Sequence, residues 1–123
     1  MMELGLAMLE GALKYGRHNY RVSGVRASVY YDALMRHIGA WWEGEDMDPG
    51  TKGRIHHITK CISTLTVLRD SMIKGNWVDD RPPKLPQGFV DEYNSIAASL
   101  IEEVPEPVRA YTEKHNEQEE KFR

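Results

Sequence analysis

The sequence predicts a small all-α protein: a helical bundle with three main helices and a C-terminal helical extension. Three observations predict it. Apolar residues recur every three or four positions in three separate segments, the spacing of an amphipathic helix. Alternation with period two is absent over any useful length, so strands are not expected. Glycine and proline punctuate the chain between the periodic segments. At 123 residues, with 41% apolar and 28% charged residues, the chain has the size and composition of one ordinary globular domain.

The first predicted helix runs from about Met2 to Tyr15 and stops at Gly16. Met2, Leu6, Leu9 and Leu13 form one apolar stripe, while Leu4, Met8 and Tyr15 line the opposite side. A helix apolar on two sides is buried twice, within the fold or against a second subunit. A basic and polar loop, RHNYRVSGVRA, follows. Ser28 is the expected cap of the second helix, which extends to about Glu43 with Tyr31, Leu34, Met35, Ile38, Trp41 and Trp42 as its apolar face. Asp32 and Arg36 are spaced as an i,i+4 pair on the other side. The turn EGEDMDPGTKG is broken by Pro49-Gly50. A third helix is expected from about Ile55 to Ile73, with Ile55, Ile58, Ile62, Leu65 and Met72 as its core stripe. The stretch VDDRPPKLPQ reads as an extended linker. Residues 1–82 are thus expected to form the site-bearing domain. Residues 83–123 form the extension, with a short helix from about Val90 to Glu102 and a charged helix or tail from Val108.

Charge and cysteine content narrow the function classes. The net charge is −3, and the segment from Glu102 onward accounts for all of it, with seven acids against four bases. The remaining residues balance, so no basic stripe for duplex nucleic acid is expected. The single cysteine, Cys61, excludes an intrachain disulfide and suits a reducing compartment. The N-terminal segment lacks the basic and uninterrupted apolar regions of a signal peptide, and no run is long enough to span a membrane. No Walker A, GxGxxG, paired CxxC or nucleophile-elbow motif occurs. Asp46 and Asp48 do not open an EF-hand, because no glutamate closes the loop at its twelfth position.

Helical position singles out three residues. Glu10 lies about 70° from the centre of the first helix's stripe. His37 flanks the second stripe, and His57 flanks the third in line with Cys61 and Thr64. His56 is expected to point away from the core. Each main helix therefore offers one metal-capable residue beside its apolar face, as helix-bundle metal sites require. Taken singly, each also fits a boundary role, with Glu10 paired to Lys14. The acidic turn, with Glu45 and Asp48, can reach the mouth of such a site. Lys14, Arg17, His18 and Arg21 cluster with Tyr15 and Tyr20, a combination that suits phosphates and nucleobases.

The segments GALKYGRHNY, YYDALMRHIGAWWEGEDMDP, HHITK and DDRPP, in this order and spacing, resemble the N-terminal domain family of phage dATP/dGTP diphosphohydrolases. The residues that carry the resemblance are Lys14, Tyr15, Asn19-Tyr20, Arg36-His37, Trp41, Glu45, Asp48 and His57, and it covers about residues 5–82. It implies a phage or prophage origin, a cytoplasmic location in an infected or lysogenic bacterial host, and a fold similar to MazG-like pyrophosphohydrolases. It also implies homodimers or homotetramers and cleavage of purine deoxynucleoside triphosphates to monophosphate and pyrophosphate with a divalent cation. On this reading Glu10, Glu45, Asp48 and His57 hold the metal, and Glu10, His37 and His57 are catalytic. Lys14, Arg36 and Lys60 contact phosphates, and Tyr15, Asn19, Tyr20 and Trp41 hold base or sugar. Mg²⁺ is the expected ion, with Mn²⁺ or another transition metal favoured by the histidines. The MazG-type ExxE and ExxD motifs are absent: Leu13 stands three residues after Glu10, and Lys60 three after His57. Their absence motivates an alternative, a non-catalytic phage protein that binds a nucleotide-like ligand or a host protein. An HD-type phosphohydrolase ranks below both, because no adjacent His-Asp pair occurs.

Overall fold

The computed structural model describes residues 2–104 and 106. Among them are five α-helices and no strand: α1 (Met2–Tyr15), α2 (Asn19–Ser23), α3 (Ala27–Trp42), α4 (His57–Lys74) and α5 (Phe89–Glu102). None is long and apolar enough to cross a membrane. The all-α class and all four expected helices are present. The charged segment from Val108 lies outside the described residues. The chain divides into two compact units, Met1–Pro82 and Pro83–Arg123.

In the first unit α4 is the central element and packs against α1, α2 and α3. Its buried row is His57, Cys61, Val67 and Ser71, with Thr59 also buried. This row is rotated from the expected stripe, and Leu65 is exposed. Small and polar side chains occupy the middle of the helix contacts, where backbones approach closely, and a stripe drawn by bulk misses them. The same rotation affects α3. Tyr31, Met35, Trp41 and Trp42 are exposed, while Ala27 is buried and Tyr30, Leu34, His37 and Ile38 are half-buried. On α1 it is Ala7 that is buried, and the stripe Met2, Leu6, Leu9 and Leu13 faces outward, with Met2 91% and Leu13 79% exposed.

Five local expectations change. The loop after Gly16 contains α2, a single turn that is too short to show periodicity and that follows a left-handed His18 (φ 62°). Ser28 does not cap α3. Arg26 holds that position without a side-chain hydrogen bond, and the Ser28 N–H and hydroxyl both donate to Asp80, at 2.8 Å for the amide. His56 caps α4 directly, its Nδ1 accepting the Ile58 N–H at 3.0 Å. Ile55, expected inside the helix, is buried in the turn before it. Asp32 and Arg36 form no ion pair among the described residues.

The first part of the expected linker belongs to this unit. Val78 donates to the Val25 carbonyl at 2.7 Å and accepts from Ala27 N–H at 3.0 Å, a one-residue bridge beside α3. Gly24 makes the closure possible. Its φ is 73°, and a Cβ there would stand 1.9 Å from the Asn76 carbonyl oxygen, just beyond the α4 terminus. Asn76 also donates to the Arg21 carbonyl at 3.0 Å, and Arg21 forks onto Asp70 at 2.6 and 2.8 Å. In the second unit α5 exposes Val90, Tyr93, Ile96, Leu100 and Ile101, and none of its residues is buried.

Gly24→Ala combines a left-handed backbone with a main-chain clash. It is expected to lower unfolding stability by at least about 2 kcal/mol, read as a fall in thermal midpoint, whereas Gly53→Ala, with open space at its Cβ, costs less.

Candidate functional site

A cavity of about 900 Å³ is lined by all four helices of the first unit and by the loop between α1 and α2. Glycine and small residues set the entry. Gly16 (φ 93°) turns the chain out of α1, its amide donating to the Ala12 carbonyl at 2.9 Å, and the left-handed His18 opens α2. These two conformations carry Arg17, Asn19 and Tyr20 to the rim.

Backbone hydrogen bonds pin the acidic turn between α3 and α4 at both ends. Glu45 N–H donates to Ala40 O at 3.0 Å, and His57 N–H to Asp46 O at 2.8 Å. The Asp48 amide donates to Ile55 O at 2.8 Å, and the Asp48 carbonyl accepts from Thr51 and Gly53. One Asp48 carboxylate oxygen accepts Gly50 N–H at 2.8 Å, so the side chain caps the short 3-10 turn Pro49–Thr51 while its second oxygen stays available. Lys52 (φ 57°) and Gly53 (φ 70°) close the turn in left-handed conformations.

This turn delivers two carboxylates to a pair of histidines. His37 Nδ1 and His57 Nδ1 lie 2.8 Å apart, and His57 Nε2 lies 2.7 Å from Glu45 Oε1. His57 is 4% exposed. With two neutral rings, one pattern satisfies both contacts: His57 donates from Nε2 to Glu45 and accepts at Nδ1 from the His37 Nδ1–H. His37 then keeps a lone pair at Nε2. Burial lowers the His37 pKa; nearby Asp48 opposes this, and His57, Lys60 and Arg36 add to the lowering. The ring is therefore neutral at neutral pH, as an acceptor or metal ligand must be. His37, Asp48 and His57 bring donor atoms within 4.8 Å of one another.

Glu10 stands in the same cavity but in a different company. Lys60 of α4 donates to its Oε2, and Lys14, one turn along α1, lies 3.0 Å from its Oε1. Burial raises the Glu10 pKa, but the hydrogen bonds and charges of Lys60 and Lys14 outweigh it and hold the carboxyl below its ordinary range. Lys14 is raised in turn, chiefly by the Glu10 hydrogen bond. Burial also raises the Tyr30 phenol.

The placement of the sequence-chosen residues is uneven. Glu10, Lys14, Tyr15, Asn19, Tyr20, Arg36, His37, Asp48 and Lys60 all line the cavity. His57 joins through His37. Glu45 is outside the lining, behind His57 as its hydrogen-bond partner, the position from which a carboxylate orients a ligating imidazole. Trp41 is also outside it. It lies one turn beyond His37, past the end of the cavity, and stacks obliquely on Trp42 at 6.3 Å. Arg21, clustered with the site bases in sequence, is spent on Asp70. Tyr30, Ser63 and Thr64 line the cavity without having been singled out as site residues; the row Tyr30–Ala33–His37 on α3 is the signal that finds the first. Of the DDRPP motif, Asp80 anchors the start of α3 and Arg81 covers the Trp77 ring at 5.0 Å, so both are structural.

The family model described as dATP/dGTP diphosphohydrolase, N-terminal, matches residues 1–81. No curated protein and no solved structure matches the chain.

The Glu10 contacts have a pH signature. A carboxyl held low in the folded state adds stability above its unfolded pKa of about 4.3, and that stability is lost as pH falls through the folded value. Denaturant midpoints measured from pH 7 to pH 3 are expected to fall more steeply for the wild type than for Glu10→Gln. Parallel curves would show that the lysine contacts do not contribute.

Proposed function

The chain belongs to the dATP/dGTP diphosphohydrolase N-terminal family, and we propose that it is a metal-dependent pyrophosphohydrolase of purine deoxynucleoside triphosphates. The observation that carries this reading is the cavity itself. One wall offers His37 and Asp48, with the buried His57 against His37 completing the donor set, and the others offer Lys14, Arg17, Arg36 and Lys60 as cations beside Tyr15, Tyr20 and Tyr30. Its volume lies within the range of small-molecule sites, roughly 300–1,000 Å³.

The donor set fits a divalent cation. Two imidazoles and one carboxylate suit Mn²⁺, Co²⁺ or Zn²⁺ better than Mg²⁺, which prefers oxygen. A cation held there would supply Lewis acidity toward phosphate oxygens and a more acidic water. The chain's own groups do the rest. Glu45 accepts from His57 Nε2 and so leaves the His57 lone pair at Nδ1, beside His37 and Asp48, where a cation would take the place of the contact between the two rings. Lys14, Arg17, Arg36 and Lys60 neutralise the phosphates and the leaving pyrophosphate. Tyrosines and Asn19 hold the nucleoside through stacking and hydrogen bonds. Binding without turnover draws on one observation: of the two lining carboxylates, Glu10 is already committed to lysines, which leaves Asp48 as the single free acid in the lining.

A panel of dATP, dGTP and pyrimidine deoxynucleotides with Mn²⁺, Co²⁺, Zn²⁺ or Mg²⁺ tests both. Pyrophosphate release from the purines is expected, falling by at least about 100-fold in His57→Asn. Binding of dGTP without consumption would favour the non-catalytic reading, and neither binding nor turnover would exclude both.

Self-association belongs to the same proposal. The outward row of α1 leaves Met2, Leu6, Leu9 and Leu13 uncovered, and covering such side chains contributes roughly 1.5–3 kcal/mol each. Sedimentation at micromolar concentration is expected to give two or four times the 14.1 kDa chain mass, and Leu6→Glu with Leu13→Glu to reduce it. A wild-type monomer would refute this.

A further inference from the structure

Two ammonium groups converge on one carboxylate inside the cavity. Lys14 and Lys60 come from different helices, and both meet Glu10. An ordinary i,i+4 pair explains the first contact. It does not explain the second, which reaches across 50 positions of sequence. Nor does it explain the setting. The Glu10 and Lys60 side chains are only 20% and 17% exposed, and all three residues face the space that Arg17 and Arg36 also line. Two lysines fixed around a single anion are the environment a phosphate oxygen finds in a phosphate site, and ammonium groups bind denser anionic charge more strongly.

We propose that Glu10 is an internal stand-in for phosphate: it holds the Lys14–Lys60 subsite until the polyphosphate of a nucleotide displaces it. This rests on the reading of the cavity as a nucleotide site. The displacement is an exchange rather than an opening. Lys60 is mostly buried, and removing its anion without a replacement leaves an ammonium with little water. The incoming phosphate supplies that replacement, and Glu10 gives up its two partners in the same event. The exchange lowers affinity for any anion too weakly charged to compete, so it selects polyphosphates over monophosphates and carboxylates.

The test is binding of inorganic tripolyphosphate to the full chain, with divalent cations chelated, followed by calorimetry. The proteins are wild type, Glu10→Gln, Lys60→Met and the double variant. Glu10→Gln is expected to bind at least about tenfold more tightly than wild type. Lys60→Met is expected to cost at least about tenfold in the Glu10→Gln background and clearly less in the wild type, because there Lys60 must first leave Glu10. Additive effects would reduce Glu10 to a contributor to the general field and overturn the proposal. Tripolyphosphate bound by the wild type but no more tightly by Glu10→Gln would also overturn it, while leaving the nucleotide-site reading intact. No binding by any of the four would remove both. If Glu10→Gln loses the helical circular dichroism signal, Glu10→Asp carries the test: its carboxylate is one methylene shorter, so tighter binding supports the exchange, and unchanged or weaker binding overturns it.

Discussion

The contact between the His37 and His57 rings holds the site together. These side chains belong to the two longest helices, α3 and α4, and their 2.8 Å approach fixes the rotation of each helix about its own axis. A buried imidazole pair is costly unless each ring nitrogen that faces protein finds a partner. Glu45 supplies the partner on the far side of His57, and it is there because the turn after α3 is pinned to Ala40 and to the start of α4. The acidic turn, the helix rotation and the tautomers of both rings are therefore one arrangement. It explains why the turn is ordered although several carboxylates crowd within it. Asp48 caps a local 3-10 turn, Glu45 is bonded to an imidazole, and Asp46 accepts a backbone amide through its carbonyl while its side chain stays exposed.

The choice of small and polar residues along α4 follows from the same constraint. With His57 at the centre of the helix contacts, the residues in line with it are Cys61, Thr64, Val67 and Ser71, and none is bulky. Close approach of the helices is what brings the rings within hydrogen-bond distance. Larger side chains on this row would separate α3 from α4 and pull the imidazoles apart. The larger apolar residues are accordingly displaced to the sides, where many remain exposed, including Leu65 on α4 and Met35 on α3. The site is thus arranged at the expense of a dense apolar core. Among the described residues the largest fully buried side chain is Ser71, and the buried apolar residues are mostly small.

This displacement also marks what could be read from residues alone. Helix existence and limits were legible to within two residues for α1, α3, α4 and α5, because glycine, proline and apolar spacing act locally. Of the twelve site residues chosen from the sequence, nine line the cavity, but helix position alone picked out only Glu10, His37 and His57. The rotation of each helix was not legible. Apolar periodicity reports the bulkiest face, and here the buried face is narrower and partly polar, so His37 and His57 were placed beside the stripe when they lie at its centre. Asp80 at the start of α3 and Asn76 against Gly24 were equally hidden, since both act across about 50 positions of sequence. A capping serine was legible as a type; that its own amide and hydroxyl are claimed by a distant aspartate was not.

Electrostatic segregation completes the picture. The first 101 residues balance acids against bases, yet the cavity gathers Lys14, Arg17, Arg36 and Lys60 against Glu10 and Asp48. Concentrating cations in one concave space raises their mutual repulsion, and the low dielectric of the walls strengthens it. Glu10 relieves this where the crowding is greatest by holding two of the four. On the proposed reading the excess that remains would attract an anion, and Asp48 with the two imidazoles would hold the cation that a polyphosphate carries with it. Divalent cation and polyphosphate would thereby be coupled: each would lower the cost of bringing the other into a space whose own charges are only partly neutralised. On that reading the site would favour a ligand that arrives as an ion pair over either ion alone.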